Sequence, residues 1–465
     1  MVNRRDALRA IGAAAGAAAG FTFVRAQEGR PHPLGEPSSY AWKAPGRPVT
    51  AAIMGAGNRG RVYASYATRF PSELRIVGVA EPIANRNDAM AAAHGIPPEH
   101  RWDTWERAFD GPKFADAIII TTPDHLHYGP AMAALERGYD LLLEKAIAQS
   151  WPQCRDILGR AQSRAAIVGV CHVLRYSPYF RMLKHVVDSG RIGGVISVQH
   201  LEPVEHIHMS HAFVRGNWRN AKESTPMLVS KSCHDLDILR WVIGQPCRRV
   251  QSFGSLRLFR REMAPPGSTA RCADGCTVEA SCPFSALDIY LRRKTWLGYK
   301  DTPGTDDASI REWLGRTNYG RCVFRLDNDV VDHQVVNMVF GDSVTAAFSM
   351  EGLTSYAGRR TRIMGARGDL VGDEETLDVY DFYERKRYQW IAKEHADAAS
   401  GHGGGDYGLV RDWVQAVSRR DPSLLTSTLE ASMESHLVGF TAEESRLDGG
   451  ALRLIDPAAL ARVHS

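Results

Sequence analysis

Apolar and polar positions along the chain change rhythm twice. Residues 10–24, AIGAAAGAAAGFTFV, are small and apolar without a break. From Val49 onward, short continuous apolar runs alternate with helical patterns: VTAAIM, an amphipathic stretch from Asn58, LRIVGVAEP ending at Glu81, Ala117–Thr121, a helix over Pro130–Arg137 closed by Gly138, and Tyr139–Leu143. Strands apolar on both faces with helices between them predict a parallel sheet covered on each side. After Ala165 the period falls toward two. SVQHLEPV (197–204), VQSFGSLRLF (250–259), RCVFRLDNDVVDHQVVNMVF (321–340), VTAAFSMEG (344–352), RRTRIMGARGDLVGD (359–373) and TLDVYDF (376–382) read as strands. Their alternation predicts a second sheet with one buried and one wet face. Amphipathic helices follow Arg175-Tyr176-Ser177-Pro178 and run through KSCHDLDILRWVIG, where Leu236, Leu239, Trp241 and Val242 form the apolar face.

Composition narrows the class. The chain has 465 residues, 44% hydrophobic and 24% charged, with 42 Gly and 23 Pro, which excludes wholesale disorder and collagen-like structure. Net charge is +4, and much of it sits where Arg4, Arg5, Arg9 and Arg25 face only Asp6. The remainder is nearly neutral, so no electrostatic case exists for nucleic acid. Paired Arg4-Arg5, the short apolar run and a small-residue end at Ala26 form an export signal that resembles the twin-arginine type, with Ala7 where that pattern usually has Phe. No other stretch approaches the roughly 18 apolar residues of a membrane span. The expected division is a leader over 1–26, a Pro-rich linker over 27–48, a first domain over 49–170 and a second over 171–465. The mature chain is expected outside the cytoplasm, in the periplasm or beyond.

The first domain carries a dinucleotide signature. Gly55-x-Gly57-x-x-Gly60 lies between the first strand and its helix. The first glycine makes the tight turn, the second admits a pyrophosphate close to backbone, and the third lets helix pack on strand. Asn58 and Arg59 open a helix whose free amides and dipole suit an anion. Glu81, at the end of the second strand, can accept from ribose hydroxyls and would repel a 2′-phosphate, which favours NAD over NADP. The pattern predicts a Rossmann domain, and its carboxyl edge brings Thr121, Pro123, His125, His127, Glu144 and Lys145 toward the cofactor.

GAGNRG, then TTPDHLH, then a strand ending LLLEKA resembles the Gfo/Idh/MocA family, the relatives of glucose–fructose oxidoreductase and inositol dehydrogenase. The resemblance covers about Val49 to Phe440. It implies an α/β Rossmann domain followed by an α+β domain with a large, mostly antiparallel open sheet, and oxidation of a sugar or polyol hydroxyl by hydride transfer to NAD. It also implies association into a dimer or tetramer through the sheet's outer face. The family's Glu-Lys-Pro reads Glu144-Lys145-Ala146 here. By resemblance His234 is the catalytic histidine at the start of a helix, whereas the family's Asp four residues earlier is Ser230, followed by Lys231. Lys145 and His234 remain the groups suited to take the hydroxyl proton. Asp237 orients or caps, and with Arg175, Tyr176 and Lys231 it is placed at the substrate site.

Two further segments offer contacts to a small carbohydrate. EHIHMSHAFVRGNWRN holds His206, His208 and His211, which could suggest metal, but it also interleaves Arg215, Trp218 and Arg219 in a way that suits sugar hydroxyls and an apolar sugar face. SGHGGGDYGLV places His402 and Asp406 on a glycine-rich lead into a helix. The resemblance puts a substrate-contacting histidine there, and a plain N-cap by Asp406 is the alternative. Cys272, Cys276 and Cys282 crowd into RCADGCTVEASCPFSA. A structural metal, a disulfide and free thiols all remain open, since this spacing matches no strong zinc template. Export of a folded protein would carry NAD out with it, so a tightly held cofactor and a redox-closed cycle are expected. One alternative is an NAD-dependent glycosidase acting by transient oxidation and elimination, as in the α-N-acetylgalactosaminidases of the same broad family. A second is a non-catalytic binder of NAD and sugar.

Overall fold

The computed structural model describes residues 31–35, 44–302, 304–395 and 401–456. The leader expected over 1–26 lies outside them. Two sheets organise the chain. The first is built from β1 (Val49–Met54), β2 (Leu74–Ala80), β3 (Arg101–Trp102), β4 (Ala117–Ile120), β5 (Asp140–Leu143) and β6 (Val168–Val170). All pairs in it are parallel, in the order β3-β2-β1-β4-β5-β6. The order reverses between β1 and β4, so the carboxyl ends of those strands frame the crevice in which such sheets bind ligands. Continuous apolar sequence is explained by burial on both faces: Ile53, Met54, Ile118, Ile119 and Leu142 are fully inaccessible.

Helix α1 (Asn58–Arg69) packs Tyr63, Ala64, Tyr66 and Ala67 onto this sheet. Helices α2 (Ala84–His94), α3 (Tyr128–Glu136) and α4 (Trp151–Ser163) complete the covering layers. A helix from far along the chain, Gly405–Arg419, also joins this core. Its Trp413 is buried with Tyr63 and Ile53 and donates its indole N–H to Leu141 O at 2.8 Å.

The second sheet has ten strands and mixed direction. After α5 (Pro178–Asp188) come β7 (Val195–Pro203), α6 (Cys233–Ile243), β8 (Cys247–Ser255), α7 (Asp307–Arg316), β9 (His333–Phe340), β10 (Val344–Glu351), β11 (Arg360–Gly365), β12 (Gly368–Gly372), β13 (Thr376–Asp381), β14 (Lys386–Ile391), α8 (Gly405–Arg419), α9 (Leu429–Leu447) and β15 (Arg453–Leu454). The order is β14-β13-β12-β11-β7-β10-β9-β8-β15, with the short strand His32–Pro33 parallel to β14 at the far edge. The β7–β10 pair is parallel, and the other pairs among β7 to β15 are antiparallel. Val198, Val336, Phe348, Ile363, Leu370 and Val379 share one core with α5 and α6, while Ile196, Phe253, Val335 and Val371 face outward.

Two strand expectations change. Only His333–Phe340 of the 321–340 run pairs as a strand. Asn328 and Asp329 spend their side chains on Phe259 O and Ala221 N, which holds the preceding stretch as loop. The 250–259 run starts earlier, at Cys247, and leaves the sheet at Ser255, because Asp332 captures the amides of Arg257 and Leu258. Residues between β8 and β9 form an insertion with its own small core of Ile289, Tyr290, Ile310 and Trp313. Among the described residues no helix is long and apolar enough to cross a membrane.

Candidate active site

The glycine turn after β1 has the geometry its sequence demands. Gly55 has φ +96°, and a Cβ there would lie 2.7 Å from Thr121 O. A Cβ on Gly60 would come within 2.2 Å of Gly55 O, so helix and turn touch through bare backbone. At Gly57 the nearest heavy atom is Arg86 Nη1 at 3.9 Å, so this flank is open. No side chain caps α1 and no acid lies in its first turn. Open glycine backbone, free helical amides and positive dipole fit a dinucleotide pyrophosphate. Thr121 Oγ1 donates to Gly55 O at 2.6 Å and holds the turn from the neighbouring strand. Asn58 and Pro123 are exposed at this edge, and His125 is exposed on the loop beyond.

Several residues expected at the cofactor instead hold its frame. Glu81, expected to accept from ribose hydroxyls, is buried and turned inward, with its oxygens accepting from Ala56 N at 2.7 Å and Ile83 N at 3.0 Å. Its carboxylate clamps the glycine turn, and its negative charge still stands at the end of β2. Arg59 bridges two carboxylates, Glu144 at 2.7 Å and Asp406 at 2.7 Å. Glu144 also accepts from Tyr63 OH at 2.7 Å and from Lys145 N at 3.0 Å. Burial pushes the Glu144 carboxyl up, but Arg59 and Lys145 outweigh it and hold the group below the usual range. The side chain of His127 is buried between Ala146 O at 2.6 Å and Thr122 O at 2.8 Å, bracing the turn after β5. The Lys145–Ala146 peptide is cis.

Lys145 and His234 come together across the domain boundary. Lys145 follows β5, and its Nζ donates to Ser230 O at 2.6 Å. Ser230 therefore meets the lysine through its carbonyl, where the resemblance had led to an Asp side chain. His234 is the second residue of α6, nearly buried, with Nδ1 lacking a partner among the described residues. Burial, then Lys145, then His172, push the His234 imidazole well below its ordinary pKa, so it is neutral near pH 7. His402 approaches from the other side, its ring 6.5 Å from that of His234 and its Nδ1 3.1 Å from Asp406 Oδ1. His402 is 41% exposed, whereas Asp406 is buried. Two buried histidines that the sequence did not single out, His172 and His436, line up behind His234, with ring separations of 5.6 Å at each step.

The substrate-side expectations divide. Arg175 is buried and locked to Asp237 by two bonds of 2.7 Å, with Nη1 on Thr426 O; Tyr176 is buried on Ser427. These three residues fix α6 to the C-terminal segment and do not face a ligand. Arg215, 1% exposed, donates to Arg321 O and Phe284 O in the insertion, so it is not a sugar contact either. Trp218 donates to Asp124 of the first domain at 3.0 Å and joins the two domains beside the crevice. Arg219 pairs with Asp327 and Glu223, and Lys231 pairs with Glu202 at 3.0 Å. His208 and His211 stack on Trp296 and are not grouped for a metal. Cys272, Cys276 and Cys282 are free thiols, and among the described residues no group of three or more His, Cys, Asp or Glu side chains could hold a metal ion. The structural metal expected at these three cysteines is therefore not supported.

A strap from the insertion crosses the crevice. Arg61 donates to Gly298 O at 3.3 Å and Arg86 to Tyr299 O at 3.3 Å. The Tyr299 ring lies 4.6 Å from His211 and 6.4 Å from Trp218. These contacts carry the second domain over the opening of the glycine turn. Nothing in the local sequence signals them, because both acceptors are backbone carbonyls.

Comparison with known proteins agrees with this geometry. The family model described as an oxidoreductase family NAD-binding Rossmann fold (Gfo/Idh/MocA) matches residues 49–172, and that family's C-terminal alpha/beta domain matches residues 184–449. The chain is similar to the putative oxidoreductase YteT of Bacillus subtilis (strain 168), 25% identical over 315 residues, or 64% of this chain and 71% of that protein. It is also similar to inositol 2-dehydrogenase of Klebsiella pneumoniae (strain 342), 29% identical over 203 residues, or 43% of this chain and 56% of that protein. A crystal structure of an inositol dehydrogenase homolog complexed with NAD+ from Azotobacter vinelandii shares the fold, with TM-score 0.65 and 15% identity over 89% of this chain and 99% of that one.

Proposed function

The chain belongs to the Gfo/Idh/MocA oxidoreductase family, and from that premise we propose that it transfers hydride at a secondary hydroxyl carbon of a sugar or cyclic polyol, using an NAD that stays bound between turnovers. The observation that carries this reading is the meeting of Lys145 and a neutral His234 at the carboxyl edge of the Rossmann sheet. The substrate class rests on the inositol dehydrogenases among the relatives.

Gly55, Gly57, Gly60 and the first amides of α1 would hold the pyrophosphate, and the negative charge of Glu81 would disfavour a 2′-phosphate. When bound, the nicotinamide ring supplies the hydride acceptor. Lys145 Nζ, now on Ser230 O, would donate to the substrate oxygen and orient it. The imidazole of His234 is neutral and takes the hydroxyl proton as the C–H bond breaks. Positioning together with proton removal accounts for a rate advantage of about 10²–10⁴ from this pair. The strap through Gly298 and Tyr299 supports retention, because leaving the crevice requires the Arg61 and Arg86 contacts to open. Retention in turn suits export by the N-terminal signal, which we carry forward as part of this proposal. Association of copies over the outward face of the second sheet, where Ile196, Phe253, Val335 and Val371 are exposed, belongs to it as well.

A second reading keeps its place because of one contact. The His402–Asp406 pair beside His234 supplies another acid–base group, and elimination of a glycosidic bond after transient oxidation needs two. Purified protein is denatured and its supernatant assayed for NAD(H), then native protein is incubated with free polyols and with aryl glycosides, with and without added NAD. Polyol oxidation supports the dehydrogenase, aryl release without net oxidation supports the glycosidase, and neither activity with nucleotide present rejects both.

A further inference from the structure

His172 follows β6 at the same carboxyl edge that carries Lys145 after β5. It is 1% exposed, and neither of its ring nitrogens has a hydrogen-bond partner among the described residues. A buried imidazole unsatisfied at both nitrogens is costly unless a partner lies within reach. Its neighbours narrow the choice. The His436 ring lies 5.6 Å away, but its nitrogens are committed, Nδ1 to Ser432 O at 3.0 Å and Nε2 to the Ile147 amide at 3.1 Å. Asp237 Oδ1 lies 3.8 Å from His172 Nε2. The His234 ring stands edge-on at 5.6 Å, with its own Nδ1 buried and unpartnered. Of these three rings, only His172 and His234 have nitrogens left to pair.

The chemistry given to His234 fixes what each nitrogen must do. A neutral imidazole carries one N–H and one acceptor nitrogen. With Nδ1 buried, Nε2 is the nitrogen left for substrate. To take a proton there, His234 must keep its hydrogen on Nδ1, and that buried N–H needs an acceptor. His172 meets the need in one tautomer, with Nε2–H toward Asp237 and Nδ1 free to accept. Burial, then Arg175 and Lys145, hold the His172 imidazole neutral against the pull of Glu144, so the acceptor nitrogen is available. Arg175 in turn fixes Asp237 by two bonds of 2.7 Å.

We propose that His172 is a positioning residue, anchored on Asp237 and accepting from His234 Nδ1–H, so that His234 presents Nε2 to the substrate as base. The inference rests on the reading of His234 as the proton acceptor. In turnover the hydroxyl proton passes to His234 Nε2, while Nδ1 keeps its own hydrogen and shares it with His172. No proton leaves the row, and the imidazolium that forms is stabilised through His172 by the Asp237 carboxylate. The separations are long for hydrogen bonds, as catalytic ones often are before substrate binds. A tilt of either ring closes them without moving backbone.

Full-length His172→Phe and His172→Asn are compared with the unmodified chain on an accepted polyol. Asn retains an acceptor oxygen and an N–H, whereas Phe retains neither. In His172→Phe, kcat should fall about 10–100-fold, the usual cost when a working imidazole loses the partner that orients it, with KM and bound NAD unchanged. His172→Asn should recover most of that loss. An unchanged kcat in His172→Phe, or equal losses in the two variants, would overturn the proposal. Nitrogen-15 NMR of the histidine-labelled, unmodified chain gives a readout that needs neither a folded variant nor a substrate. His234 should be the Nδ1–H tautomer and His172 the Nε2–H tautomer, and the opposite tautomer at either residue would also overturn it. No turnover by the unmodified chain on any polyol or sugar would count against hydride transfer, and the tautomers would still decide the pairing.

Discussion

Lys145 and His234 carry different loads, and single substitutions should separate them. On the proposed mechanism Lys145→Ala removes the group that would meet the substrate oxygen without touching the glycine turn, so kcat/KM should fall by about 10²–10⁴ while bound NAD is unchanged. If turnover on every accepted substrate survives this change, the assignment fails. His234 is held neutral by burial and by Lys145, so kcat/KM should stay flat from pH 8 down to about 6.5, the ordinary histidine value, and decline only below it. An acid limb at or above that value would contradict the role given to His234. At Arg175, the loss of its carboxylate partner in Asp237→Ala should cost about 3–5 kcal/mol in denaturant unfolding, as expected when one member of a buried pair is left behind. The sequence placed both residues at the substrate. An arginine and an aspartate in apolar surroundings look alike whether they bind sugar or each other, and only packing separates the two cases.

At the scale of elements, the turn after β1 was readable because glycine spacing encodes local backbone geometry. Gly55, Gly57 and Gly60 stand where the pattern placed them. The fate of Glu81 was not readable: its spacing put it at the strand end, but the amides of Ala56 and Ile83 claim its oxygens through folding of the turn. The strap was invisible for a similar reason, since its bonds fall on the carbonyls of Gly298 and Tyr299, which no side-chain pattern reports. Its consequence is measurable. Each contact is a hydrogen bond from a charged donor, worth about 1.5–3 kcal/mol. Arg61→Ala combined with Arg86→Ala should therefore speed NAD release at least tenfold, read by stopped-flow nucleotide displacement. An unchanged release rate would remove the strap from the account of retention.

For the whole molecule, the parallel and mixed sheets followed from hydrophobic rhythm, whereas the return of α8 onto the first sheet did not, because Trp413 finds Leu141 only in three dimensions. The same folding buries histidines. Burial lowers His172, His208 and His234 well below the ordinary value and takes His211 and His436 down to about 3. Below about pH 6.5 the unfolded chain binds protons that the folded chain refuses, so this stability is present above that pH and lost as pH falls. Between pH 7.5 and 5.5 the loss should be on the order of 5 kcal/mol, seen as a lower urea midpoint. A midpoint that holds or rises would show that these histidines accept protons in the folded state.

The most direct test of the account is a single-turnover experiment on freshly purified protein with no nucleotide added. Mixed with a panel of polyols and sugars, it should develop the absorbance of reduced nicotinamide, approaching one equivalent per chain, for at least one compound, and Lys145→Ala should do so about 10²–10⁴-fold more slowly. Protein that neither contains NAD(H) nor binds it when supplied would contradict the account at its root.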